Sequence, residues 1–144
     1  MEFDFSNTYL YKMHALTTSL DALFDKELRR HAGIGLSQFT LLLAVQHGQP
    51  VTQRATAGFL MISPGAVSRQ VDIASRNGWL RTTSGTDRRS QHLVLSPAGE
   101  DMIRAGIAAL ERQAFAVFDD ENHQGNLMEH IDLLQRNVSR TNDC

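Results

Sequence analysis

Ser63-Pro64 is the feature that most narrows what this chain can fold into. Serine is a strong helix N-cap. Proline at the following position begins a helix without penalty, because its missing N–H would have been unpaired there and its fixed φ suits the helix. Downstream, Val67, Val71 and Ala74 fall on one face at i, i+4 and i+7, while Gly65, Ser68, Arg69 and Asp72 fall on the other. Asn77-Gly78 closes the helix after Arg76, the glycine supplying a left-handed residue. The spacing predicts a two-faced helix over 64–76 whose first turn is built from small residues.

The flanks give this helix a context. Thr52 can cap a short helix running from Gln53 to about Leu60, with Ala57 and Leu60 inward. Met61-Ile62 then leads into Ser63. After Gly78, the stretch from Trp79 to Thr83 alternates, and Gln91 to Leu95 alternates again with Leu93 and Leu95 inward and His92 outward. That is the period-2 pattern of half-buried strands. Their connection, Ser84 to Ser90, is polar, carries Arg88 and Arg89, and is too long for a tight hairpin. Short helix, turn, capped helix and long-tipped hairpin in this order make a winged helix.

The Ser63-Pro64-Gly65-Ala66-Val67-Ser68-Arg69 helix start, the Asn77-Gly78-Trp79-Leu80 exit, the Asp87-Arg88-Arg89-Ser90 tip and Leu95-Ser96-Pro97-Ala98-Gly99 recur together at this spacing. In that combination the chain resembles the MarR family of bacterial and archaeal transcriptional regulators, over about its whole length. The resemblance implies a mainly α fold with a small β-wing. It implies one MarR-like domain over 1–144, with a winged helix-turn-helix DNA-binding lobe at 36–96 and helical dimerisation regions at 1–35 and 97–144. The family also has a short strand before the helix-turn-helix, which here would fall around Val51.

Charge bears on the partner. The net charge is −2, which on its face argues against nucleic acid. Its distribution argues the other way. From Val51 to Leu95 there are six arginines and two acids, a net +4, so the remainder carries −6. A basic module on an acidic body is the electrostatic pattern of a duplex binder that turns one face to its target.

The remaining chain reads as helices. Ser6 to about His31 shows apolar positions at Leu10, Met13, Leu16, Leu20 and Leu28, with Ser6, Asn7 or Thr8 as the cap. Leu36 to His47, capped by Ser37, is apolar around most of its circumference and belongs in a core. Ser96-Pro97 repeats the cap-then-proline start, and Met102, Ile103, Ile107, Leu110, Ala114, Phe115 and Phe118 continue an apolar stripe in which Gly106 is a weak point. Asp119 to Gly125 reads as an acidic break before a last helix from Asn126 to about Arg140. In the resembled family the first helix joins the last two in a dimer interface.

Under the resemblance, Ser68 and Arg69 enter the major groove, with Ser63, Pro64, Gly65 and Gln70 around them. Arginine can read guanine through two hydrogen bonds and glutamine can read adenine. Thr52, Gln53 and Arg54 are candidate phosphate contacts, as is Arg88. Arg89 is the candidate for a narrow minor groove, and Asp87 for bracing the wing. Arg76 and Arg81 read instead as solvated or paired with acids.

The resemblance implies a homodimeric repressor that binds a pseudo-palindromic double-stranded DNA site and is released by a small aromatic or phenolic effector. Met13, His14, Thr17, Phe39 and Leu43 are candidate pocket walls, although core packing is the favoured account of them. No nucleophile elbow, Walker loop or dinucleotide fingerprint is present, so neither an enzyme nor a cofactor is expected. The six histidines include no i, i+4 pair. A metal- or redox-responsive regulator is the alternative, in which His14, His31, Glu129 or His130 would converge from separate helices, beside a winged helix that binds protein. The single cysteine, Cys144, excludes an internal disulfide. No run is apolar enough to span a bilayer, and the acidic, aromatic start lacks the order of an export signal, so a cytoplasmic protein is expected.

Overall fold

The computed structural model describes residues 4–49, 51–84, 91–117 and 121–142. A short 3-10 turn, Phe5–Asn7, precedes α1 (Tyr9–His31), followed by α2 (Leu36–Gly48), β1 (Val51–Thr52), α3 (Gln53–Leu60), α4 (Pro64–Arg76), β2 (Leu80–Ser84), β3 (Gln91–Leu95), α5 (Pro97–Val117) and α6 (Glu121–Asn142). The chain divides into two compact units, Met1–Leu110 and Glu111–Cys144. Among the described residues, no helix is long and apolar enough to cross a membrane.

In the first unit the core gathers Leu28 from α1, Ile34, the α2 residues Phe39, Leu41, Leu42 and Val45, the α4 residues Val67, Val71 and Ala74, the strand residues Leu80, Leu93 and Leu95, and Ile103 from α5. The apolar face expected for α4 is thus the face that is buried. α2 buries Phe39, Leu41, Leu42, Ala44 and Val45, while Ser37 and its last turn are exposed. The three strands form an antiparallel sheet in the order β1-β3-β2, so the short β1 lies against the outer edge of the hairpin. Val51 faces Leu93 and Thr52 faces His92 across one edge of β3; Leu80 faces Leu95 across the other. His92, expected outward, is half-buried because its strand is the central one.

Several boundaries differ from the sequence reading. α1 begins at Tyr9 rather than Ser6, and its cap is Thr8, whose hydroxyl accepts the Tyr11 N–H. Ser37 does not cap α2: the N-cap is Gly35, which has no side-chain cap to offer. The orphan Leu36 N–H donates instead to Asp25 Oδ1 of α1 at 2.8 Å. An acceptor borrowed from another helix does the capping.

On α5 the buried line is Ile103, Gly106 and Ala109, while Ile107 is 43% exposed. In the second unit α6 starts at Glu121, inside the stretch expected to be a break. An acidic residue at a helix start is favoured by the positive end of the helix dipole, so this polar sequence is compatible with helix. Along α6, Leu127, Met128, Ile131, Leu134 and Val138 are all exposed. In the first unit Tyr9, Leu10, Met13 and Leu16 of α1 are likewise exposed.

Candidate nucleic-acid interface

The geometry of this surface begins with α4. Ser63 holds an extended backbone and its hydroxyl accepts the Ala66 N–H at 3.2 Å. Pro64 occupies the first helical position. With Val67, Val71 and Ala74 fixed in the core, the helix can present only its opposite side to solvent. Ser63, Pro64, Gly65, Ser68, Arg69 and Asp72 are exposed there. A Cβ added at Gly65 would meet nothing within 4 Å, so the first turn stands clear of the rest of the fold. Such a turn, at the positive end of a helix dipole, suits approach to an anionic or deeply grooved partner.

α3 supports this helix from behind. Thr52 accepts the Ala55 N–H at its hydroxyl, and its carbonyl accepts from Thr56 Oγ1. Thr52 and Gln53 are half-buried, while Arg54 is exposed. The sequence reading passed over Thr56, which is 1% exposed and ties α3 to its own start. α3 ends at Met61, a non-glycine residue with φ 54°, whose N–H returns to Ala57 and Gly58 carbonyls. α4 ends as expected, at Asn77 and a left-handed Gly78. The hydroxyl of buried Ser96 then donates to the Gly78 carbonyl and accepts the Gly99 N–H, fastening the end of α4 to the start of α5.

The candidate residues separate by environment. Arg54 and Arg69 are exposed, and among the described residues neither forms an ion pair. Gln70 stands apart from its neighbours: it is half-buried, its backbone carbonyl accepts from Gln38 Nε2 of α2 at 3.2 Å, and its own Oε1 is enclosed without a hydrogen-bond partner. Arg76 donates to the Asp72 carbonyl, and Arg81 is exposed on β2. Asp87, Arg88 and Arg89 lie outside the described residues, as does Cys144.

Of the candidate pocket walls, Phe39 is core, Leu43 is half-buried, and Met13, His14 and Thr17 are exposed. His31 lies 3.3 Å from Glu27 of its own helix. Among the described residues, no group of three or more histidine, cysteine, aspartate or glutamate side chains gathers as a metal site.

A helix presented by a second helix and a turn, with a small antiparallel sheet at its side, defines a winged helix-turn-helix protein. Comparison with known proteins narrows the class. Residues 32–90 match the model of the MarR family. An uncharacterised HTH-type transcriptional regulator of Bacillus subtilis, YwoH, is 26% identical over 95 residues, covering 64% of this chain and 69% of the relative. Among solved structures, the Mycobacterium tuberculosis transcriptional regulator MosR in complex with DNA superposes with a TM-score of 0.76 at 17% identity, covering 93% of this chain and 98% of that one. Staphylococcus aureus MarR in complex with salicylate and kanamycin superposes with a TM-score of 0.80 at 13% identity, covering 92% and 91%. Over residues 32–90 the chain is similar to the MarR family, and its fold is that of the winged helix-turn-helix regulators it superposes on.

Proposed function

We propose that the chain acts as a homodimeric, cytoplasmic repressor that reads a pseudo-palindromic duplex and is released by a small aromatic or phenolic effector. One observation carries the DNA-reading part: the only helix with an uncluttered first turn of small residues, among the described helices, exposes Ser63, Gly65, Ser68 and Arg69 from the part of the chain that bears the net positive charge. Ser68 and Arg69 address base edges in the major groove, with Pro64 and Gly65 allowing close approach. Gln70 plays a smaller part, since its side-chain oxygen is enclosed. Thr52, Gln53 and Arg54 meet phosphates. At the wing, Arg88 meets phosphate, Arg89 enters the minor groove, and Asp87 braces the loop.

The lobe over 36–96 does the reading, and the helical regions 1–35 and 97–144 pair the protomers. The exposed apolar side chains of α1 and α6 support that pairing, because apolar stripes of this extent are ordinarily covered. The salicylate complex of the S. aureus regulator supports the effector class by analogy of fold. An effector would shift the population between two separations of the paired reading helices.

Selection from random duplexes at two salt concentrations tests the reading. The expected product is an inverted repeat with half-sites about one helical turn apart, bound with an affinity that falls steeply with salt. Recovery of no preferred sequence, with weak salt dependence, would turn the surface over to a protein partner.

A further inference from the structure

The turn between α3 and α4 ends the helix through a left-handed residue whose side-chain identity folding alone does not explain. Met61 sits at φ 54°, ψ 39°, and is the non-glycine residue with positive φ among those described. Its side chain is 88% exposed. The left-handed conformation places a Cβ against the following carbonyl, a cost that glycine avoids and asparagine tolerates. Leaving a thioether chain in water forfeits the burial that normally favours methionine. The flanking residues do contribute to the fold: Leu60 and Ile62 pack, half-buried, against the core, and the Ile62 N–H donates to the Ala57 carbonyl. At position 61 only the backbone takes part, through its N–H to the end of α3. The Met61 side chain therefore carries two unfavourable features and no packing in return, and outliers of that kind concentrate where a chain meets its ligand.

Position 61 lies two residues before the Ser63 cap, joined to it by extended backbone at Ser63. A long, unbranched, polarisable side chain here stands in solvent two residues ahead of the first turn of α4, and methionine adapts its shape to an apolar contact. In the major groove, the apolar group available to such a side chain is the 5-methyl of thymine. Resting on the DNA-reading role above, we infer that Met61 is a specificity-determining residue that packs on a thymine methyl group at the edge of the half-site.

Single thymine-to-deoxyuridine replacements across the selected duplex test this, since each removes one methyl and leaves base pairing intact. For the unaltered protein, one symmetry-related thymine position should weaken binding about fourfold, the effect of losing one buried methyl group. Met61→Asn, which suits the left-handed turn, should bind thymine and deoxyuridine duplexes equally at that position while melting no lower than the unaltered protein. Met61→Ala should lose the same discrimination. If Met61→Asn and Met61→Ala keep every methyl effect of the unaltered protein, or the unaltered protein shows none, the inference is wrong while the DNA-reading role stands. If the unaltered protein selects no duplex at all, both fall.

Discussion

The ring of Phe39, on α2, occupies the space into which any side chain at Gly106, on α5, would have to grow. A Cβ at Gly106 would overlap ring atoms Cε2 and Cδ2. Phe39 is 2% exposed and held by the core, so the ring has no solvent to retreat into. Glycine at 106 is therefore the residue that lets α5 seat against α2, and a judgement from helix propensity alone has the wrong sign here.

Gly106→Ala should consequently destabilise the fold. Propensity favours alanine by about 1 kcal/mol, whereas overpacking a filled core costs about 1–3 kcal/mol. A net loss of about 1 kcal/mol in urea unfolding is expected from these two effects. In a Phe39→Leu background the same substitution should become neutral or favourable, and a double-mutant cycle reads the coupling directly.

Asp25 gives a pH-dependent contribution. Its carboxyl is held below the ordinary value of 3.8, first by its hydrogen bond from Arg29 and then by the Leu36 N–H. Because the folded value is the lower one, the stabilisation is complete above the ordinary carboxyl range and is lost as pH falls through the folded value. Asp25→Ala should be less stable than the parent at pH 7, by about the 0.5–2 kcal/mol of a lost helix cap. The gap should close on acidification through the folded value, which lies below the ordinary 3.8. Urea titrations of both proteins from neutral to acid pH measure it; a gap unchanged with pH would disprove the capping role.

Ser96 fastens the end of α4 to the start of α5 through one hydroxyl. It is 6% exposed, so its alanine replacement leaves the Gly78 carbonyl and Gly99 N–H without that partner in a site with little room for water. A loss of about 1–3 kcal/mol is expected for Ser96→Ala, with the far-ultraviolet circular dichroism of the native state unchanged.

On the DNA side, Arg69→Ala and Arg54→Ala should differ in kind. If Arg69 reads a base, its loss relaxes preference at one half-site position and costs about 1–3 kcal/mol in the cognate complex. If Arg54 meets phosphate, its loss weakens all sequences alike and lowers the salt slope by about one per protomer. Binding curves on cognate and scrambled duplexes over a salt series separate the two. Arg89→Ala should matter chiefly on A·T-flanked sites.

What could be read in the sequence follows how local each signal is. The start of α4 was legible because the cap, the proline and the first turn are adjacent residues, Ser63 to Ala66. Its buried face, Val67, Val71 and Ala74, was legible because the period of one helix fixes it. The cap of α2 was not, because the acceptor for Leu36 is Asp25, on another helix. Gly106 was misjudged for the same reason, its constraint being the ring of Phe39. In the candidate site, the exposure of Ser63, Gly65, Ser68 and Arg69 followed from the helix period, but the enclosure of the Gln70 side-chain oxygen depends on how α4 meets α2. Met61 gave no local sign, since Leu60-Met61-Ile62 reads as a plain apolar run and only the backbone conformation sets its middle member apart.

Thr52 belongs at once to a strand and to a helix: it is the partner of His92 on β3, and its hydroxyl closes the first turn of α3. The loop-side end of β3 and the start of the helix-turn-helix are thereby joined through one residue. A pull on the hairpin arm arrives at the first turn of α3 without passing through the core, and loosening that residue would slacken both arms together. The lobe is built as one stiff casting rather than as two fingers.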